Sequence, residues 1–155
     1  MSKPVRLTIA THIQSNFLFD PHELKVISSR EVPTEHEEQR AFVSWWRKSL
    51  PDCWIFAVPN GGGRSAREGG RLKMEGVSAG VPDLVCPALC LYIEFKKRKG
   101  GSISPDQKKW HAHLKACGYA VIVPKGADEA VEMLKKFISS YDRKRCTQTI
   151  DWVDL

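Results

Sequence analysis

A chain of 155 residues, 42% hydrophobic and 27% charged, is long enough for one domain with a real core and too short to expect two. It has no low-complexity tract, no internal repeat and no apolar run of membrane-spanning length, and its start, MSKPVRLTIATHIQ, lacks the continuous apolar stretch of an export signal. The formal charge of +6 suits a protein that meets phosphate.

The basic residues cluster at Arg64, Arg67, Arg71 and Lys73, at Lys96 to Lys99, and at Arg143 to Arg145. The five cysteines, Cys53, Cys86, Cys90, Cys117 and Cys146, form no CxxC pair and have no histidine at zinc spacing. They are expected to be reduced structural thiols.

Residues 1–33 hold two β-like runs, VRLTIATHI and ELKVIS, either side of the turn-like FDPH. They read as an N-terminal extension without an assigned role. Thr34 with Glu37 three residues on forms a capping box, and the run EHEEQRAFVSWWRKS that follows predicts a helix ended by Pro51. At about 100° per residue, Ala41, Phe42, Trp45 and Trp46 share one side, with Glu35, Glu38 and Gln39 within or beside that sector. Glu37 and Arg40 face elsewhere.

CWIFAV predicts a strand, and PNGGGRSAREGGRLKMEGVSAG a glycine-rich basic connection with room for a short helix. DLVC and LCLYIEF predict two strands joined by a tight turn at Pro87-Ala88. SPDQKKWHAHLKACG predicts a helix with Ser104 as N-cap, Pro105 at its first position and Gly118 at its C-terminal cap. YAVIV is a last strand and ADEAVEMLKKFISSY an amphipathic closing helix. The order of helix, three strands, helix, strand and helix predicts an α/β fold.

Within those apolar strands lie Asp83, Glu94 and Lys96. Alternation puts Glu94 and Lys96 on one face and Phe95 on the other, and pairing through the short turn brings Asp83 beside Glu94. Two carboxylates buried that close repel unless a cation sits between them. Oxygen ligands alone suit a hard ion, Mg²⁺ or Mn²⁺. Such an ion with a nearby lysine suits phosphodiester hydrolysis. Each half alone has a plainer reading, a solvated ion pair for Glu94 and Lys96 and a turn for Pro82-Asp83; the combination is far more specific.

Asp83 after Pro82, followed by Glu94-Phe95-Lys96, resembles the signature of the PD-(D/E)xK superfamily, and the chain is similar in particular to short stand-alone VRR-NUC proteins of phage and bacterial type. The matching pieces are Glu35-His36 with Gln39, Val58-Pro59-Asn60-Gly61-Gly62, Leu72 through Val77, Gly80 through Leu84, Ile93 through Lys96, and Ser104 through Gln107 with Trp110. The likeness covers residues 34–141 as a nuclease domain and leaves 142–155 as a tail.

The resemblance implies a restriction-endonuclease-like core, αβββαβ, with a mixed sheet flanked by helices. It implies catalytic Glu35, Asp83, Glu94, Lys96 and Gln107, with Mg²⁺ or Mn²⁺ on Asp83, Glu94 and Glu35. It also favours Glu35 over Glu38, which helical geometry leaves open. The implied activity is that of an endodeoxyribonuclease, acting as a homodimer on branched DNA such as a Holliday junction, in the cytoplasm of a bacterial or phage-infected cell. A flap or single-strand nicking nuclease and a silent DNA-binding module of the same fold stand as alternatives.

Arg64, Arg67, Arg71 and Lys73 are candidate phosphate contacts, and a solvated loop explains them nearly as well. Lys97, Arg98 and Lys99 read either as a clamp on DNA or as an exposed charge run. The glycines of NGGGRS are no P-loop, since no Lys-Ser or Lys-Thr follows at the required spacing. His111 and His113 fall on different sides of their helix, and Trp45, Trp46 and Trp110 read as core.

Overall fold

The computed structural model describes residues 24–59 and 66–140. VRLTIATHI, Arg64 and the C-terminal tail with Arg143 to Arg145 lie outside the described residues. The elements are α1 (Glu35–Ser49), β1 (Phe56–Ala57), α2 (Ala66–Met74), β2 (Leu84–Cys86), a single 3-10 turn (Pro87–Leu89), β3 (Leu91–Ile93), α3 (Pro105–Ala116), β4 (Ala120–Ile122) and α4 (Ala127–Ser139).

The sheet order is β1-β2-β3-β4. β1 and β3 flank β2 antiparallel, and β4 joins β3 in parallel. A parallel neighbour needs a crossover, and α3 supplies it between β3 and β4. The strands are shorter than their apolar runs suggest, because the residues that prolong β3, Glu94 and Lys96, donate their backbone N–H groups to the carbonyls of Ile122 and Pro124 as single bonds beyond the ladder.

The tight turn expected at Pro87-Ala88 is the 3-10 turn, closed by Cys90 in the left-handed region at φ 46. The described part of ELKVIS is not a strand: Leu24 and Val26 pack against the core from an irregular segment.

The capping box of α1 is present in both directions. Glu37 N–H donates to the Thr34 hydroxyl at 3.2 Å, and the Glu37 carboxylate accepts from Thr34 N–H at 2.7 Å. Two backbone donors that the helix cannot satisfy internally are thereby used.

One face of the sheet, through Leu84, Cys86, Leu91, Ile93 and Phe95, meets Phe42, Trp45 and Trp46 of α1 and Ala130, Val131 and Leu134 of α4 in a single cluster. Phe42 sits 5.6 Å from both Trp46 and Phe95. Trp45 and Trp46 are core, as expected, and the Trp46 indole N–H donates to the Cys53 carbonyl at 2.5 Å. That bond ties the end of α1 to the approach of β1.

The opposite face, that of Val85, Tyr92 and Glu94, is met by α3. Trp110 is only half-buried there and donates to the Ser78 hydroxyl at 3.2 Å. Cys53, Cys86 and Cys117 are free thiols, with the first two buried 3.3 Å apart. Cys90 is disulfide-bonded, which departs from the expectation of five reduced thiols.

Candidate active site

Leu84 pairs with Ile93 across β2 and β3. One step beyond the ladder, therefore, Asp83 and Glu94 stand opposite one another, both on the α3 side of the sheet. The Asp83 carboxylate accepts the Phe95 N–H at 2.8 Å, which fixes its direction across the strand ends. Lys96 Nζ donates to Glu94 Oε1 at 2.7 Å, and Gln107 Nε2 donates to the same oxygen. The other oxygen, Glu94 Oε2, is buried and has no hydrogen-bond partner.

Asp83, Glu94 and Lys96 are thus brought together as the sequence implied, and Gln107 joins them as the resemblance implied. Gln107 has a second task that the sequence also signals. With Ser104 it completes the capping box of α3, its Oε1 accepting from Ser104 N–H at 2.9 Å. One amide both starts the helix and reaches the carboxylate, so its rotamer is held from both ends.

Gly80 sets the distance between that helix and the strands. Its φ is +87°, and a Cβ there would lie 2.6 to 2.8 Å from the backbone of Asp106 and Gln107. Only glycine lets the Gly80-Val81-Pro82 approach run this close beneath α3.

Of the three first-turn carboxylates of α1, the two that helical geometry leaves open, Glu35 and Glu38, separate cleanly. Glu35 Oε1 accepts the Lys97 N–H at 2.7 Å, at the exit of β3. Glu38, 1% exposed, accepts from Arg98 through both oxygens, at 2.5 and 3.2 Å, and from Ala127 N–H at 2.8 Å. Glu38 is therefore fully committed to the fold, and Glu35 is the carboxylate that faces the strand ends.

Arg98, expected beside Lys97 and Lys99 as a phosphate contact, is redirected by the same network. It also pairs with Asp128 at 2.6 Å, and its guanidinium fills the space beside Gly126, the N-cap of α4. It joins α1, the end of β3 and α4. Lys97 and Lys99 are exposed. Arg67, Arg71 and Lys73 lie exposed on α2, with Arg71 3.6 Å from Glu75.

Burial first, then the neighbouring charge of Asp83, pushes the Glu94 carboxyl up to about 7, against the lowering effect of Lys96. Burial likewise raises Asp83, opposed by its bond from Phe95 N–H and by Lys96. Two carboxyls pushed toward protonation, one with an unpartnered buried oxygen, are an environment that a hard cation would relieve.

Asp83 and Glu94 fit such an ion as oxygen donors. Among the described residues no group of three His, Cys, Asp or Glu side chains converges on one point, so Glu35 stands beside the pair without closing a three-carboxylate cage.

His111 and His113 lie on different sides of α3, as expected. His111 is buried one turn after Gln107 with its Nε2 unpartnered, and burial, then Lys115 and Lys96, lowers its pKa. His113 is exposed.

A solved structure described as a "VRR_NUC domain protein" superposes with a TM-score of 0.60 at 28% identity, over 73% of this chain and 94% of that one. The likeness supports the VRR-NUC family. With it, the mixed sheet flanked by helices is consistent with a restriction-endonuclease-like fold, and the neighbour's description points to a nuclease domain. No protein-family model and no curated protein sequence matches the chain. No helix among the described residues is long and apolar enough to cross a membrane.

Proposed function

We propose that this chain is a metal-dependent endodeoxyribonuclease of the PD-(D/E)xK type, acting on branched DNA in the manner of a Holliday-junction resolvase. The observation that carries the reading is the meeting of Asp83, Glu94 and Lys96 at adjacent strand ends, with Glu94 Oε2 buried and unpartnered. A purely structural ion pair would have no use for the second carboxylate or the open oxygen.

Asp83 and Glu94 would hold Mg²⁺ or Mn²⁺, which when bound polarises the scissile phosphate and makes an attacking water more acidic. Gln107 holds Glu94 Oε1 in place, and the unpartnered Oε2 would be the oxygen offered to an ion. Lys96 gives one N–H to Glu94 and keeps its others for the attacking water or a phosphate oxygen. Water adds to phosphorus and gives up a proton, the bond to the leaving deoxyribose oxygen breaks, and that oxygen takes up a proton. Glu35, fixed by Lys97 N–H, would stand beside such an ion.

A four-way junction needs two incisions and a domain of this size has one such site, so a two-fold homodimer matches the substrate. Lys97, Lys99, Arg67, Arg71 and Lys73 are the proposed contacts to its phosphates, with Arg64 among them. Cleavage assays with Mg²⁺ on matched duplex, flap, single-strand and four-way-junction substrates test the reading. Junction resolution supports it, flap cleavage alone supports the flap-nuclease alternative, and binding without cleavage of any substrate points to the silent module.

A further inference from the structure

His111 is a buried ionisable side chain that the proposed chemistry leaves unused. It is 7% exposed, and with Leu114 it forms the buried side of α3. It follows Gln107 by one helical turn, about 5–6 Å along the axis, and helical side chains lean back toward the N-terminus. Its imidazole is therefore carried toward the place where Gln107 and Lys96 meet on Glu94 Oε1.

Side chains that are part apolar ordinarily bury the apolar part and keep the polar tip in water. His111 does the reverse. The outermost nitrogen of its ring, Nε2, is buried without a hydrogen-bond partner. A leucine would fill the same position with no polar atom to desolvate, so packing gives no reason for a histidine there. Burial first, then the charges of Lys115 and Lys96, holds its pKa below the ordinary value, so the ring is neutral at pH 7. A neutral imidazole offers one nitrogen as an acceptor.

Lys96 has the matching need. It is 8% exposed, and Glu94 is its one partner among the described residues, which leaves two of its three N–H groups unused. Beside a cation held by Asp83 and Glu94 the ammonium would be repelled as well as attracted, and a buried ammonium then needs a neutral acceptor. The Asp83 carboxylate, Glu94 Oε1 and Gln107 Oε1 already accept other donors. Apart from the Glu94 Oε2 offered to the ion, His111 Nε2 is the buried acceptor on this side of the sheet with nothing on it.

We infer that His111 is a positioning residue for Lys96: when Glu94 is engaged by its ion, His111 Nε2 accepts an N–H of the ammonium and so keeps another N–H of Lys96 directed at the attacking water. The inference rests on the nuclease reading for the role of Lys96.

The test sets His111→Leu and His111→Gln beside wild type, in the full chain. Glutamine keeps an acceptor near the position of Nε2, and leucine does not. His111→Leu is expected to slow single-turnover cleavage of a four-way junction with Mg²⁺ by about tenfold at saturating DNA, with affinity changed by less than about twofold. His111→Gln is expected to recover the rate to within about threefold of wild type. A urea midpoint for His111→Leu equal to or above that of wild type separates this from a packing role, since a buried unpaired nitrogen has been removed. In a Lys96→Ala background, His111→Leu is expected to cost nothing further, because its effect travels through Lys96. Without DNA, the NMR resonance of the His111 Nε2 nitrogen is expected to move toward that of a hydrogen-bonded nitrogen when Mg²⁺ is added, in wild type and not in Lys96→Ala.

Wild-type cleavage by His111→Leu would overturn the inference, as would matching losses of stability and rate in both His111 variants, or a slowing that persists in the Lys96→Ala background. A protein that cuts no substrate yet shows the Lys96-dependent response of Nε2 would defeat the nuclease reading and leave the contact standing. An Nε2 resonance that Mg²⁺ leaves unmoved, in a protein that does cleave, would defeat the inference and leave the nuclease reading standing.

Discussion

Arg98 donates to the buried carboxylate of Glu38 at 2.5 Å, and so connects the residue two places after Lys96 to the helix that carries Glu35. The pair fixes α1 at one point and the bond from Lys97 N–H to Glu35 fixes it at a second, one helical turn away. Removing Arg98 leaves Glu38 with Ala127 N–H as its remaining partner. Because Arg98 itself is 36% exposed, water screens part of the loss. Arg98→Ala is expected to lower unfolding free energy by roughly 2–3 kcal/mol, less than a fully buried pair would. Urea denaturation measures this. DNA affinity in the folded variant should keep the wild-type salt slope, whereas Lys97→Ala should lower the slope by about 0.9 on duplex DNA.

Lys96 and Lys97 differ by one step along an extended chain, and so face opposite ways. Lys96 is buried against Glu94 and Lys97 is exposed. Lys96→Ala is expected to reduce the cleavage rate at saturating DNA by about a hundredfold or more, with affinity changed little. Single-turnover kinetics beside gel-shift titration separate the two. Matching behaviour of the Lys96 and Lys97 variants would place Lys96 outside the site.

Gly80→Ala should cost more than Gly76→Ala, although both glycines have positive φ, +87° and +95°. At Gly76 a Cβ meets nothing within 4 Å, so only backbone strain of about 1 kcal/mol applies. At Gly80 the Cβ also collides with Asp106 and Gln107, adding roughly 1–3 kcal/mol and pushing Gln107 away from Glu94. Thermal unfolding reads the stability difference. A cleavage defect confined to Gly80→Ala reads the displacement of Gln107.

The raised carboxyls make metal-free stability depend on pH. Glu94 binds its proton more tightly folded, at about 7, than at its ordinary value of 4.5. Its contribution is complete below 4.5 and is lost as pH rises through about 7. Without metal the protein should therefore lose on the order of 3 kcal/mol across that interval, Asp83 adding in the same direction. Glu94→Gln should remove most of the loss. Denaturation in EDTA at mildly acidic and mildly alkaline pH checks the sign, and Mg²⁺ should restore stability more at the alkaline end.

Much of this site was legible because its residues obey local rules. Asp83 and Glu94 meet through a short antiparallel connection, and Ser104 could be read as the N-cap of the helix that carries Gln107. Glu35 and Glu38 could not be separated that way, since both lie near the apolar sector and only the position of Arg98 decides between them. Arg98 looked like one member of a basic run, and nothing in its neighbours signals Glu38, sixty residues away in the chain. The exposed aromatics at the sheet edge were hidden for a similar reason. CWIFAV reads as a strand, and only its place at the sheet edge shows that Trp54 and Phe56 stay in solvent.

The most direct test of the central claim is Mg²⁺-dependent cleavage of branched DNA by Asp83→Asn and Glu94→Gln, with gel-shift affinity measured on the same preparations. Each substitution removes an oxygen ligand and a negative charge near phosphate. The account predicts cleavage below about one-thousandth of wild type with affinity equal or higher. Wild-type turnover in either variant would contradict it.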